Sequence, residues 1–125
     1  MNKDKGFPDP QSVINLAIKK FIEKGLEYPE EFFSSGHCQY FANMLLSLYP
    51  EGILYSTSNH VGVKIDNFIW DIEGIIFPDN KYRPDSETGF SEINYYGNPK
   101  VIELCDEVVN EIRNELFVDV AKGSK

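Results

Sequence analysis

Three side chains near the middle of the chain have the types and the order that a thiol enzyme needs: Cys38, His60 and Asp71. A cysteine attacks as its thiolate, and an ordinary thiol with a pKa of about 8.5 must be activated to react near neutral pH. An imidazole can take the proton and return it, while a carboxylate orients the imidazole and stabilises its charged form. The three residues therefore predict attack by Cys38 on an acyl carbon, with His60 as the base and Asp71 as its partner.

The residues that follow Cys38 predict that it lies in the first turn of a helix. Apolar side chains recur there at helical spacing until Pro50 ends the run: Phe41, Met44, Leu45 and Leu48. The start of a helix favours an anion because its first N–H groups are unpaired, so this position favours a thiolate. Gly36 just upstream should let a substrate carbonyl approach closely, and the N–H of Cys38 is then a candidate oxyanion donor.

His60 and Asp71 are related by a predicted hairpin. Asp66-Asn67 is typical of a two-residue turn between strands at residues 60–65 and 68–72. Counting from that turn pairs Val63 with Trp70 and places four residues on one face: His60, Gly62, Asp71 and Glu73. The apolar residues fall on the opposite face: Val61, Val63, Ile65, Phe68, Trp70 and Ile72. We expect the space at Gly62 to be open, and Asp71 rather than Glu73 to hold the imidazole.

Each member of this set has a plainer interpretation as a core cysteine, a structural histidine or an acid at a strand end. Their joint order and placement favour the triad. A zinc site formed by His37, Cys38, His60 and Asp71 is an alternative, but adjacent ligands diverge in a helical turn and no second cysteine is near in sequence. We therefore predict no metal and no cofactor. Cys105 lies on an apolar helical stripe and is assigned to the core.

The remaining elements predict a single α+β domain over residues 1–120 with a disordered tail at 121–125. Asp9 and Pro10 begin a helix that Gly25 ends, and a second long helix follows Pro99. Short strands are expected at residues 53–55 and 75–77, and residues 26–35 should form a loop or turn. Residues 79–98 are polar and are predicted to be a long loop, either a lid, a binding loop or a disordered segment.

Composition restricts the partners. The 125 residues carry 20 acidic and 12 basic side chains, a net charge of -8, and no basic stripe interrupts this balance. Such a surface repels phosphate backbones, so we predict no nucleic-acid partner and favour basic or neutral peptides and proteins as substrates. No apolar run approaches the roughly 18 residues of a membrane span or follows the pattern of a signal peptide. We expect no membrane contact and a cytoplasmic location.

Three stretches together resemble a known superfamily: residues 36–42 (GHCQYFA), 60–65 (HVGVKI) and 69–74 (IWDIEG). They are similar to the compact bacterial and phage members of the papain-like/transglutaminase-like thiol enzymes, in which a Cys opens a helix, a His begins a strand and an Asp lies on the next. The resemblance covers about a third of the chain. It implies a catalytic helix packed on an antiparallel sheet, on the face that carries the His.

The resemblance also implies an activity, namely thiol-dependent acyl transfer through a thioester at Cys38, most simply hydrolysis of a peptide or isopeptide bond as in a cysteine protease. Transglutamination, deamidation and amide acyl transfer use the same triad. A non-catalytic binding or inhibitor module that keeps the fold is the alternative from another class. Papain usually has an oxyanion-donating Gln six residues before its Cys, where this chain has Phe32. The candidates for substrate or oxyanion contact therefore stay open: Gln39, Ser35, Gly36, His37 or a backbone amide.

Overall fold

Helix α1 (Pro10–Glu23) is the first element of the computed structural model, which describes residues 8–34, 36–76, 81–95 and 97–117. Its start is the predicted one, since the Asp9 carboxylate accepts a hydrogen bond from the N–H of Ser12 and Pro10 occupies the first turn. Its end is also confirmed. Gly25 has a φ of 103°, a left-handed conformation that glycine adopts without strain and that turns the chain out of the helix.

The segment that leads to Cys38 is a short helix rather than the predicted loop. Helix α2 (Pro29–Ser34) begins at a proline and has Glu30 and Glu31 in its first turn, both of which favour a helix start. It is held by Phe33, which is fully buried. Helix α3 (Cys38–Leu48) follows, and Cys38 is its first residue, as the sequence predicts.

Five strands form one antiparallel sheet in the order β4-β3-β2-β1-β5. They are β1 (Ile53–Ser56), β2 (Val61–Ile65), β3 (Phe68–Asp71), β4 (Gly74–Ile76) and β5 (Arg83–Pro84). The register of β2 and β3 is the predicted one, with Val63 opposite Trp70. Asp66 in the connecting turn has a φ of 58°, a conformation that Asp tolerates better than most residues.

Strand β3 ends one residue earlier than expected. Asp71 pairs with Gly74 of the next strand, so Ile72 and Glu73 are the two residues of a tight turn. Gly74 allows this turn, because it has a φ of 110°, which glycine adopts without strain. Strand alternation therefore does not extend to Glu73, and the expectation that it shares a face with His60 through the strand is wrong.

Residues 81–95 contain regular structure where a long loop was predicted. Strand β5 is followed by helices α4 (Asp85–Thr88) and α5 (Phe90–Asn94). The hydroxyl of Ser56, fully buried on β1, donates to the Asp85 carboxylate at 2.8 Å and also bonds Thr88. Contacts of this kind, rather than periodicity, order the segment. The rest of the predicted loop includes residues 79, 80 and 96, which lie outside the described residues.

Helix α6 (Pro99–Leu116) completes the fold and is capped by Asn98, whose side chain accepts from two N–H groups of the first turn. Helix α3 lies between the sheet and α6, contacting β2 on one side and α6 on the other, while α1 packs on α6. The chain is therefore an α+β protein, as predicted. Among the described residues no helix is long and apolar enough to cross a membrane. The tail at 121–125 is outside the described part.

Candidate functional site

The His60 and Asp71 side chains meet directly. The Nε2 atom of His60 lies 2.7 Å from Oδ2 of Asp71, and both side chains are largely buried, with 15% and 12% of their surfaces exposed. The second carboxylate oxygen, Oδ1, accepts a hydrogen bond from the N–H of Glu73 at 2.8 Å. Asp71 is therefore held from both sides, and it fixes the imidazole in a defined orientation.

Cys38 is the other partner of the imidazole. Its thiol is close enough to the imidazole to affect the ring's proton affinity, while Asp71 bonds the ring at Nε2. The hydrogen bond to Asp71, and after it the interaction with Cys38, raise the pKa of His60 to about 9, against the opposing effect of burial. The imidazole is therefore charged at neutral pH.

His60 and Asp71, expected to be neighbours from the register of the hairpin, meet at one end of the sheet. His60 immediately precedes β2, and Asp71 is the last residue of β3. Because β2 and β3 are antiparallel neighbours, the start of β2 and the end of β3 lie at the same end of the sheet. Helix α3 packs on the apolar face through fully buried Val61 and Val63, not on a polar His face. His60 lies just before β2, so the alternation of side chains along the strand does not determine which way its side chain points. The imidazole lies near the start of α3, at the end of the sheet.

Glu73 does not compete for the imidazole. Its Oε2 accepts a hydrogen bond from the hydroxyl of Ser34, at the end of α2, at 3.2 Å. Its backbone N–H meanwhile bonds Asp71, so the turn at Glu73 positions the triad carboxylate. The expected preference for Asp71 over Glu73 agrees with this geometry.

The two glycines near the site have different roles. A Cβ at Gly62 would lie 2.8 Å from the carbonyl oxygen of Trp70 and 3.0 Å from Ile69 Cγ2, so the missing side chain lets two strands approach. The expectation of open space between His60 and Asp71 at this residue is therefore wrong. Gly36 has a φ of 94°, and a Cβ there would meet nothing within 4 Å. The space upstream of Cys38 is open, as expected.

The candidates for oxyanion contact differ in whether their hydrogen-bonding groups are already used. Gln39 is buried, its amide donates to Asn43 at 3.0 Å and its carbonyl accepts from Ser91. It thus joins α3 to α5 and is already occupied. In the first turn of α3 the N–H of Tyr40 donates to the His37 carbonyl. The N–H groups of Cys38 and Gln39 precede it, at positions where a helix has no acceptor of its own. Ser35 lies outside the described residues.

His37 precedes Cys38 and is the N-cap residue of α3, without a side-chain hydrogen bond. Its ring stacks on Phe32, with centroids 4.0 Å apart and planes 14° apart. The sequence gives no direct signal for this stack, because Phe32 lies on a segment predicted to be a loop. In the described part of the chain, no group of three or more His, Cys, Asp or Glu side chains is placed to hold a metal ion.

Cys105 differs from Cys38 in its neighbours and not in its exposure. The two residues are 5% and 6% exposed. Burial, helped by the negative charge of Asp106, raises the pKa of the Cys105 thiol to about 12, so this thiol stays protonated. This placement agrees with its assignment to the core.

Comparisons with known proteins identify a family for the chain. A family model described as Phage YunG-like protein matches residues 14–117, which include all of α1 after its first turn, the sheet, Cys38, His60, Asp71 and α6. No curated protein and no solved structure matches the chain significantly.

Proposed function

The chain belongs to the Phage YunG-like protein family, and from the geometry of its site we propose that it is a papain-like or transglutaminase-like thiol enzyme. The observation that carries the proposal is the His60 imidazole, which is bonded to Asp71 and interacts with Cys38, the first residue of helix α3. Hydrolysis of a peptide or isopeptide bond is the reaction we favour.

The first half of the reaction forms a thioester. The Cys38 sulfur attacks the acyl carbon, and the carbonyl oxygen takes the negative charge of the tetrahedral intermediate. The backbone N–H groups of Cys38 and Gln39 are the donors best placed at the helix start to stabilise that charge. Collapse breaks the bond to the leaving amine, which receives the proton held by the His60 imidazolium.

The second half returns the enzyme to its starting state. Neutral His60 removes a proton from water as the water oxygen attacks the thioester carbon, and the thiolate of Cys38 leaves as the acid product forms. An amine in place of water gives transamidation by the same steps, and a glutamine side chain as the acyl donor gives deamidation. Asp71 keeps the imidazole oriented through both halves.

An activated ester tests the proposal without knowledge of the natural substrate. With p-nitrophenyl acetate we expect a rapid release of one equivalent of p-nitrophenol per protein and an acetyl group on Cys38, detected by peptide mass spectrometry. His60→Ala should slow acylation by about 100-fold, the scale of lost general base catalysis, and Cys105→Ser should leave it unchanged. Acetylation no faster in the protein than in His60→Ala would contradict the enzyme and favour the binding module.

A further inference from the structure

A groove of about 370 Å³ opens beside the start of α3 and has no role in the reaction steps above. The residues that line it come from the segment between α1 and α2, from α2 itself and from the residue before the nucleophile: Leu26, Glu27, Tyr28, Glu31, Phe32 and His37. His37 lines the groove and is adjacent to Cys38 in the chain, so the groove lies next to the residue proposed to form the thioester.

The groove carries negative charge. Glu27 and Glu31 both line it and both are exposed. The nearby cation Lys24 is already engaged with α6, where its Nζ lies 2.5 Å from Glu111. Among the residues that the structure describes, no cationic side chain forms an ion pair with either groove carboxylate. A positive group brought by a ligand would therefore find two carboxylates not yet neutralised.

The walls of the groove are aromatic. Phe32 and His37 form the stacked pair described above, and Tyr28 is 68% exposed at the rim. Aromatic faces attract cations and also cover the methylene stem of a long side chain. The Nδ1 atom of His37 is buried and has no hydrogen-bond partner within the described residues.

We propose that this groove is a specificity subsite for a lysine or arginine side chain of a peptide substrate. This inference rests on the proposed function of Cys38 and defines the class of substrate that the enzyme would take. The aliphatic stem packs along Leu26 and Phe32, and the cationic end lies near Glu27 and Glu31. A carboxylate side chain would meet two like charges there, so acidic residues are excluded at the same position.

Covalent peptide probes test the subsite. We would prepare tripeptidyl acyloxymethyl ketones with Lys, Arg, norleucine or Glu at each position in turn, and measure the second-order rate of Cys38 modification by intact mass. At one position we expect Lys and Arg to react about tenfold faster than norleucine, and Glu to react more slowly still. Equal rates for all four side chains at every position would overturn the proposal.

Matched double variants locate the preference. Glu27→Gln with Glu31→Gln should reduce the preference for a basic residue about three- to tenfold, since exposed ion pairs are individually weak. Glu23→Gln with Glu30→Gln removes the same charge from exposed residues that do not line the groove, and should leave the preference intact. A preference reduced equally by both pairs would reflect overall charge and would contradict the subsite.

Two further measurements separate this inference from the activity itself. Iodoacetamide has no side chain to place in the groove, so its rate with Cys38 reports only activation of the thiol. If that activation is absent, the subsite is tested by titrating the protein with acetyl-arginine amide and following NMR signals of Tyr28, Phe32 and His37. Shifts that disappear in the Glu27, Glu31 double variant support a cation site, and unchanged signals in the unsubstituted protein refute it.

Discussion

Nε2 of His60 and Oδ2 of Asp71 lie 2.7 Å apart, although eleven positions separate the two residues in the chain. The hairpin of β2 and β3 brings the two residues together, because the start of β2 and the end of β3 lie at the same end of the sheet. The bond to Asp71 is the largest cause of the raised pKa of His60, and the interaction with Cys38 is the next. The proton affinity of the imidazole therefore depends on Asp71.

Substitution of Asp71 should lower the pKa of His60 and slow catalysis. In Asp71→Asn the amide oxygen can still accept the hydrogen bond from Nε2 but no longer carries charge, so the pKa falls from about 9 toward the ordinary value near 6.5. Deacylation of the acetyl enzyme should slow about tenfold in Asp71→Asn and further in Asp71→Ala, which lacks any acceptor. NMR titration and ester turnover measure the two effects.

Glu73→Gln is the matched control for Asp71→Asn. It removes one negative charge two residues away, from a side chain that bonds Ser34 rather than the imidazole. The pKa of His60 should change little in this variant. A larger fall in Glu73→Gln than in Asp71→Asn would contradict the assignment of Asp71 as the partner.

The raised pKa of His60 predicts how stability depends on pH. The folded protein binds this proton more tightly than the unfolded chain, so the stabilisation is complete below about pH 6.5 and is lost as pH rises through about 9. Denaturant titrations should show the free energy of unfolding falling by up to about 2–3 kcal/mol across this window. The fall should be absent in His60→Gln and present in His37→Gln. An unchanged slope in His60→Gln would show that another group titrates.

Local signals in the sequence were enough to predict the pieces that carry the triad. Pro50 and the apolar spacing after Cys38 predict α3, and Asp66-Asn67 with the alternation of β2 predicts the register that the structure has. These features depend on residues close together in the chain. The side-chain direction of His60 could not be derived in the same way, because it lies outside β2, where alternation no longer applies.

The parts that sequence reasoning missed depend on distant contacts. Asp85 and Thr88 show no helical periodicity, and their segment is ordered by bonds to Ser56, about 30 residues earlier. The stack of Phe32 on His37 likewise requires the short α2, whose only local signals are a proline and two acids. The acidic groove could not be predicted, since it exists only when these segments meet.

Gly62 should not tolerate a side chain. A methyl group there would lie 2.8 Å from the Trp70 carbonyl oxygen, so Gly62→Ala must separate β2 from β3. We expect a loss of about 2–3 kcal/mol in the free energy of unfolding, the usual range for overpacking. Gly89→Ala is the control, because Gly89 has a left-handed φ of 71° but open space around its Cα, and should cost about 1 kcal/mol. Equal losses would show that the approach at Gly62 is unimportant.

Gln39 should affect stability more than acyl transfer. Its bonds to Asn43 and Ser91 are partly buried, so Gln39→Ala and Ser91→Ala should each lower the free energy of unfolding by about 1–2 kcal/mol. The losses should not add in the double variant, because both remove the same bond. The ester acylation rate of Gln39→Ala should stay within about threefold. A loss of 100-fold or more, the scale of a missing oxyanion donor, would instead make the side-chain amide of Gln39 that donor.

The most direct test of the account is the rate at which iodoacetamide alkylates Cys38 as pH is varied from 5 to 9. Cys38 and Cys105 are buried to nearly the same extent, so a difference between their alkylation rates reports activation of the thiol and not its exposure to solvent. We predict that Cys38 reacts substantially at pH 6, where an ordinary thiol is protonated, that Cys105 stays unmodified, and that His60→Ala abolishes the reaction at this pH. A Cys38 rate that rises only near pH 8.5 and is the same in His60→Ala would contradict the catalytic triad.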